Sequence, residues 1–328
     1  MHNPGRTSWL LAALLFTGCV TKEAIFVDGP PPVAPDAAVA DAQAWGDLPS
    51  GPAPERSVCT ETIDVVFVLD VSSSMDFVLD KLEREIDAVV TASNALAKDS
   101  HFGLIAFVDN HHLDVSGPLD GGKVHQAADT LRAAFRHYKQ TYTMPNRNPG
   151  DGPSGPTTQN PVCEENAPDA LVAAAKDFPW RAKSTRVVIL ATDDTFLERP
   201  DNYGDRDGDG KMDKTDWPKE GDYPAGQTLA DAVTALKGAK ARVFSFSRLR
   251  PPDPLDFQAY LSKCGTPRRH PWEAVSWGWS ATYKGQAPIP DQTDGKNFDL
   301  DEVRRGKLSL SETINHVVVQ SRCNPIDK

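Results

Sequence analysis

The stretch Asp64-Val65-Val66-Phe67-Val68-Leu69-Asp70-Val71-Ser72-Ser73-Ser74-Met75 decides the fold. Led by Ile63, its apolar residues form the near-continuous run expected of a strand buried on both faces of a parallel sheet. Asp70, Ser72 and Ser74 then bring one carboxylate and two hydroxyls to the point where that strand ends. Open α/β sheets place their ligands at the carboxyl ends of their strands. These hard oxygen donors suit Mg²⁺, Mn²⁺ or Ca²⁺ rather than a thiophilic metal.

The chain beyond this stretch alternates strands with helices. Leu79, Leu82, Ile86, Val89, Val90 and Leu96 recur at helical spacing and are expected to face the sheet. Phe102 to Val108 reads as the next strand, and a helix is expected from Val124 to about Tyr138. Met144 to Val162, dense in Pro, Gly and Asn, reads as a loop. A second helix starts near Pro168, because proline is favoured in the first turn. Arg186 to Thr192 reads as another fully buried strand, Gly226 to Ala239 a helix, and Arg242 to Ser247 the strand after it. The last helix opens on Ser309-Leu310-Ser311-Glu312, the pattern of a capping box. This order predicts an α/β fold, a doubly wound and mostly parallel sheet flanked by helices, in one domain over residues 57–328. A Trp- and Pro-rich insertion over 250–292 carries Trp272, Trp277, Trp279 and Tyr283. These aromatics either cover a small satellite core or contact a carbohydrate or protein. Trp277 and Trp279 share a face if that segment is extended.

Asp70-x-Ser72-x-Ser74 after such a strand resembles the motif of a von Willebrand factor type A domain, the core of a metal-ion-dependent adhesion site. The resemblance implies a Rossmann-like fold and a site built from three loops. Thr192-Asp193-Asp194 is similar to the family's Thr-Asp-Gly, so Asp193 matches its aspartate, and Asp194 stands where glycine is usual. The family's second loop places a threonine about five residues before an Ala-Leu pair. Here Ala170-Leu171 puts Glu165 in that register, within Cys163-Glu164-Glu165-Asn166, while Thr157 and Thr158 lie further upstream. Either Glu165 enters the shell or both glutamates face water. The implied set is therefore Asp70, Ser72, Ser74, Glu165 and Asp193, holding Mg²⁺ or Ca²⁺. A carboxylate in place of a neutral threonine would hold the metal more tightly and weaken its demand for a partner's carboxylate.

Asp205-Arg206-Asp207-Gly208-Asp209-Gly210-Lys211-Met212-Asp213-Lys214-Thr215-Asp216 matches an EF-hand calcium loop. Asp205, Asp207, Asp209, Asp213 and Asp216 stand at ligand positions, Lys211 offers its carbonyl, and Gly210 allows the sharp turn. Asp216 replaces the usual bidentate glutamate and reaches less far. Pro200 and Pro218 argue against flanking helices, so the loop (residues 205–216) resembles those of dockerin-like and thrombospondin repeats and is expected to bind Ca²⁺ as a staple.

A net charge of -11 argues against nucleic-acid binding, which needs clustered Lys and Arg. Residues 1–19 read as a targeting segment: Arg6, a short apolar run from Trp9 to Phe16, then Phe16-Thr17-Gly18-Cys19. That tetrad resembles a bacterial lipobox whose cysteine, Cys19, is lipidated. Val20 after it favours the outer membrane. Residues 20–56, rich in Pro, Ala, Gly and Asp, read as a disordered tether. Cys59, Cys163, Cys264 and Cys323 in an exported chain suggest two disulfides, with three pairings open from sequence alone. Type A domains have termini close together, and the resemblance therefore implies Cys59–Cys323, and with it Cys163–Cys264.

No nucleophile–base pairing or phosphate-binding glycine loop stands out, and Gly121-Gly122 is too short to be one. The histidines are scattered, with His111-His112 expected at the surface of a strand end. The reading is of a non-enzymatic, surface-anchored module whose metal rim takes a protein or a cell-surface polymer. A structural envelope lipoprotein whose metals only stabilise it is the alternative. A metal-dependent hydrolase using Asp70 and Asp193 is a remote one.

Overall fold

A computed structural model describes residues 59–97, 99–145, 164–199, 225–250 and 272–323, all within the unit Glu55–Lys328. Six strands form one sheet in the order β3-β2-β1-β4-β5-β6. They are β1 Ile63–Asp70, β2 His101–Phe107, β3 His111–Leu113, β4 Thr185–Ala191, β5 Ala241–Ser247 and β6 Lys296–Asp299. Every pairing is parallel except β2 with the edge strand β3. This is a doubly wound α/β fold, as the alternation of elements predicted.

The apolar runs dictate the layers, because successive side chains of a strand point to opposite faces. From β1, Ile63, Val65, Phe67 and Leu69 enter one core while Val66 and Val68 enter the other. The first core is closed by α1 (Asp76–Leu96), α2 (Ala128–Tyr138) and the last helix, α7 (Leu310–Arg322). In it Phe67 meets Phe135 edge to face, with ring centroids 5.5 Å apart. The second is closed by α3 (Ala167–Asp177) and α4 (Leu229–Gly238). Burying each such large side chain contributes about 1.5–3 kcal/mol.

The helix boundaries follow their caps. Asn166 caps α3, accepting from the Asp169 amide at 3.4 Å. Thr228 and Asp231 make a reciprocal capping box, so α4 starts at Leu229 rather than at Gly226. Ser309 accepts from the Glu312 amide at 3.3 Å and opens α7. The helix expected from Val124 starts only at Ala128, because Val124 and His125 are drawn into bridges with Leu119 and Phe102. Gly121 and Gly122 make the turn there at φ 67° and 94°, and a Cβ on Gly122 would sit 2.0 Å from the Val115 carbonyl oxygen.

Three short elements were not expected: β3, β6 and the helix α6 (Leu300–Arg304); a further single turn is α5 (Ile289–Gln292). His111 and His112 are therefore not surface residues of a strand end. They form β3 and are half-buried, and burial lowers both imidazole pKa values. His125 is fully buried against Asp114, Nε2 to Oδ2 2.9 Å.

The aromatic insertion is described from residue 272 onward. Trp277 and Trp279 do not share an extended face, because Gly278 to Ser280 turn the chain. Trp279 is fully buried against Phe196, and Tyr283 packs on the same ring at 5.0 Å. The Tyr283 hydroxyl donates to Glu198 at 2.9 Å, and Lys284 pairs with the same carboxylate. Both aromatics extend the second core instead of forming a satellite.

Cys59 and Cys323 form a disulfide spanning 264 residues. Beside it the Thr60 amide donates to the Arg322 carbonyl at 3.0 Å and Arg322 Nε returns to the Thr60 carbonyl at 2.8 Å. Cys163 and Cys264, with the pairing expected of them, lie outside the described residues, as do Cys19, residues 1–58 and the 205–216 loop. Among the described residues no helix is long and apolar enough to cross a membrane. Replacing Cys59 and Cys323 together by serine should destabilise the domain by about 2–5 kcal/mol. Denaturant unfolding of the oxidised parent against the double variant measures this, and an unchanged midpoint would show that the bond constrains nothing.

Candidate functional site at the carboxyl edge of the sheet

The chain runs from β1 outward to β2 and β3 on one side, then crosses to β4, β5 and β6 on the other. The strand order reverses between β1 and β4, where a doubly wound sheet opens a crevice. Asp70 ends β1 at that crevice, and Thr192, Asp193 and Asp194 follow β4 into it.

The local geometry of the first loop is fixed by hydrogen bonds. Asp70 Oδ1 accepts from the Ser72 amide at 2.8 Å, and its Oδ2 accepts from Thr192 Oγ1 at 3.0 Å. Ser72 Oγ lies 3.1 Å from Ser74 Oγ, which donates to Asp193 Oδ1 at 2.7 Å. Asp70, Ser72, Ser74 and Asp193 thus form one connected network across the β1–β4 boundary.

Glu165 reaches the same edge through backbone pairing. Its amide donates to the Thr195 carbonyl at 3.0 Å, and the Asn166 amide donates to the Val108 carbonyl at 2.7 Å. The segment before α3 is thereby pinned between the ends of β2 and β4. Glu164 and Glu165 are both buried and do not face water. Thr157 and Thr158 lie outside the described residues.

Electrostatics set this edge apart from the rest of the molecule. Burial, then the charge of Asp193, pushes the Asp70 carboxyl up to about 7, against the hydrogen bonds from Ser72 and Thr192 that pull it down. Burial, then Asp70, Asp109, Asp194 and Asp193 in that order, holds Glu165 well above the usual carboxylate range. Buried carboxylates crowded in this way need protons or a cation to neutralise them.

Four residues at this edge carried no signal in the motif. Asp109 lies two positions past the end of β2, Arg248 follows β5, and Asp301 and Arg304 lie on α6 after β6. Arg248 Nη2 and Arg304 Nη2 donate to Asp193 Oδ2 at 3.1 and 3.3 Å, and Arg248 Nε lies 3.7 Å from Asp301. Arg304 also lies over the Phe77 ring, 4.3 Å from its centroid. All four stand where a parallel strand ends, and that position was the signal available for them.

Among the described residues no three Asp, Glu, His or Cys side chains close on one point as a ready-made coordination shell. The donor set combines three hydroxyls, Ser72, Ser74 and Thr192, with the three carboxylates of Asp70, Asp193 and Glu165. Such all-oxygen donors suit a hard divalent cation, and the raised carboxyls supply the negative charge it would neutralise.

No family model matches the chain, and no curated protein does. Among solved structures the chain is similar to an aerotolerance-related membrane protein from Bacteroides fragilis NCTC 9343, described as carrying multiple mutations to serines. The two share 16% identity over 80% of this chain and 100% of that one, with a TM-score of 0.38. At that distance the likeness adds nothing to the reading of the site, which rests on the chain's own residues.

The raised Asp70 pKa has a signed consequence for the metal-free protein. The native state holds a proton that the unfolded state, at its ordinary 3.8, releases. Stability is therefore lost as pH rises from about 4 through about 7. Melting curves in chelator between pH 5 and pH 8 should fall, and Asp70→Asn should flatten the decline. An equal slope in the variant would remove Asp70 as its source.

Proposed function

We propose that the chain is an envelope-anchored binding module similar to the type A domains, in which a divalent cation at the Asp70 edge forms part of the surface presented to a protein or cell-surface polymer. The observation that carries this reading is the network Asp70–Thr192 and Ser72–Ser74–Asp193 at the point of strand reversal, with Glu165 buried beside it. Asp70, Ser72, Ser74, Asp193 and Glu165 would hold the ion, Mg²⁺ or Ca²⁺. When bound, it would supply a Lewis-acidic point for an oxygen ligand.

The residues themselves do the rest. Ser74 fixes the Asp193 carboxylate from one side, and Arg248 and Arg304 fix it from the other. Thr192 orients Asp70. Glu165 adds an internal carboxylate that lessens any demand for an acidic partner. The disulfide Cys59–Cys323 supports an oxidising compartment. Anchoring through Cys19 and calcium at the 205–216 loop complete the proposal from the sequence alone.

A second reading is favoured by one observation. Asp70, Ser72, Glu165 and Asp193 are each buried, so a cation there can act purely as a staple for the fold. Chelation separates the two. Partner capture from intact cells that disappears in chelator while the fold persists supports the first; a lowered melting temperature with capture intact supports the second. Independently, Glu165→Thr should lower Mg²⁺ affinity by about tenfold or more, the loss of one charge-assisted ligand. An unchanged titration would remove Glu165 from the shell.

A further inference from the structure

An open cleft of about 440 Å³ lies between the amino-terminal parts of β5 and β6 and the last turns of α7. Arg242 lies toward the amino ends of the parallel strands, whereas Phe298 pairs with Phe246 at the level of Ala191 and Leu69. Its size falls within the range of small-molecule sites. Its chemistry is unlike that of the acidic edge.

Arg242 lines the cleft and is only 9% exposed. A buried guanidinium is ordinarily neutralised by a carboxylate. Among the described residues it makes one hydrogen bond, Nη1 to the Ser321 carbonyl at 3.2 Å. That carbonyl belongs to the negative end of α7, which accounts for one of the five donors a guanidinium carries. Arg242 Nε and the Ser321 hydroxyl are both buried without a hydrogen-bond partner among the described residues. Asp294 is the acidic group whose charge bears on Arg242, and it is exposed at the mouth. Lys296 and His316, also exposed, bring further basic groups to the same opening.

Phe244, Phe298 and Val317 give the cleft an apolar side, with Lys296 Nζ 5.6 Å from the Phe298 ring centroid. Phe244 is buried, and Phe298, half-buried, stacks on Phe246 at 5.2 Å. A buried cation with spare donors beside flat apolar walls is complementary to an anion that carries a ring. A bare inorganic anion would leave the aromatic walls unused, and a neutral aromatic would leave the Arg242 donors unpaired.

We propose that this cleft binds a small aromatic carboxylate, its anion on Arg242 and its ring against Phe244 and Phe298. None of its lining residues is among those assigned to the metal edge, so the test is run on the full chain in chelator. Titration with 1-naphthoate should saturate one site with a dissociation constant near millimolar or tighter. Arg242→Gln should weaken it by about tenfold or more. Because a buried arginine can matter to folding, the exposed charge reversal Lys296→Glu serves as a second variant, expected to weaken binding about threefold or more with the melting temperature unchanged. Absence of saturable binding overturns the proposal, as does an affinity unchanged from the parent in both variants. Displacement of the naphthoate by an equal concentration of inorganic phosphate, or equal affinity for neutral 1-naphthalenemethanol, also overturns it.

Discussion

Placing the Asp70 carboxylate at the buried end of a central parallel strand constrains everything on the carboxyl edge. β1 pairs with neighbours on both sides, and the carboxylate at its end is buried. Its two oxygens are held by the Ser72 amide and the Thr192 hydroxyl. Two neutral donors satisfy the hydrogen-bonding capacity of the group but not its charge. Burial and Asp193 consequently drive the carboxyl upward, and Glu165 is driven the same way. The edge is built so that positive charge must arrive, either as protons or as an ion.

The arginines sharpen that conclusion because they are unevenly placed. Both guanidinium contacts fall on Asp193 Oδ2, while Asp193 Oδ1 receives the Ser74 hydroxyl. Asp193 is thereby compensated from within the chain. Asp70 pairs with neither arginine, and burial together with neighbouring carboxylates holds both Asp70 and Glu165 upward. A cation at this edge has its strongest electrostatic reason on the Asp70–Glu165 side. Arg304, stacked on Phe77 and partly exposed, lies beside it at the surface.

Much of this was legible from residue order, for a physical reason. β1, β2, β4 and β5 are buried on both faces, and each therefore carries a largely apolar, β-branched or aromatic run of strand length. Asp70, Ser72 and Ser74 could be named because they follow such a run, and Asp193 because Thr192-Asp193-Asp194 resembles the family's Thr-Asp-Gly at a strand end. Glu165 emerged only from the register of a resemblance, since its loop has no periodicity of its own. β3 and β6 were missed because they are short and half-exposed, and His111-His112-Leu113 and Lys296-Asn297-Phe298-Asp299 show no apolar face. Arg248 and Arg304 were invisible because their partner, Asp193, is distant in sequence and reached only when the sheet assembles. The aromatic insertion misled in geometry alone: the burial of Trp279 depends on a turn at Gly278 and on Phe196, far upstream.

The most direct measurement is a calorimetric titration of Mg²⁺ and of Ca²⁺ into the full chain, repeated with Asp70→Ala and with Asp207→Ala. The account predicts two classes of site, one abolished by Asp70→Ala alone and the other by Asp207→Ala alone. A single site that disappears only with Asp207→Ala would contradict it. The charge crowded around Asp70 would then be neutralised by protons, and the edge would have no part in metal-dependent binding.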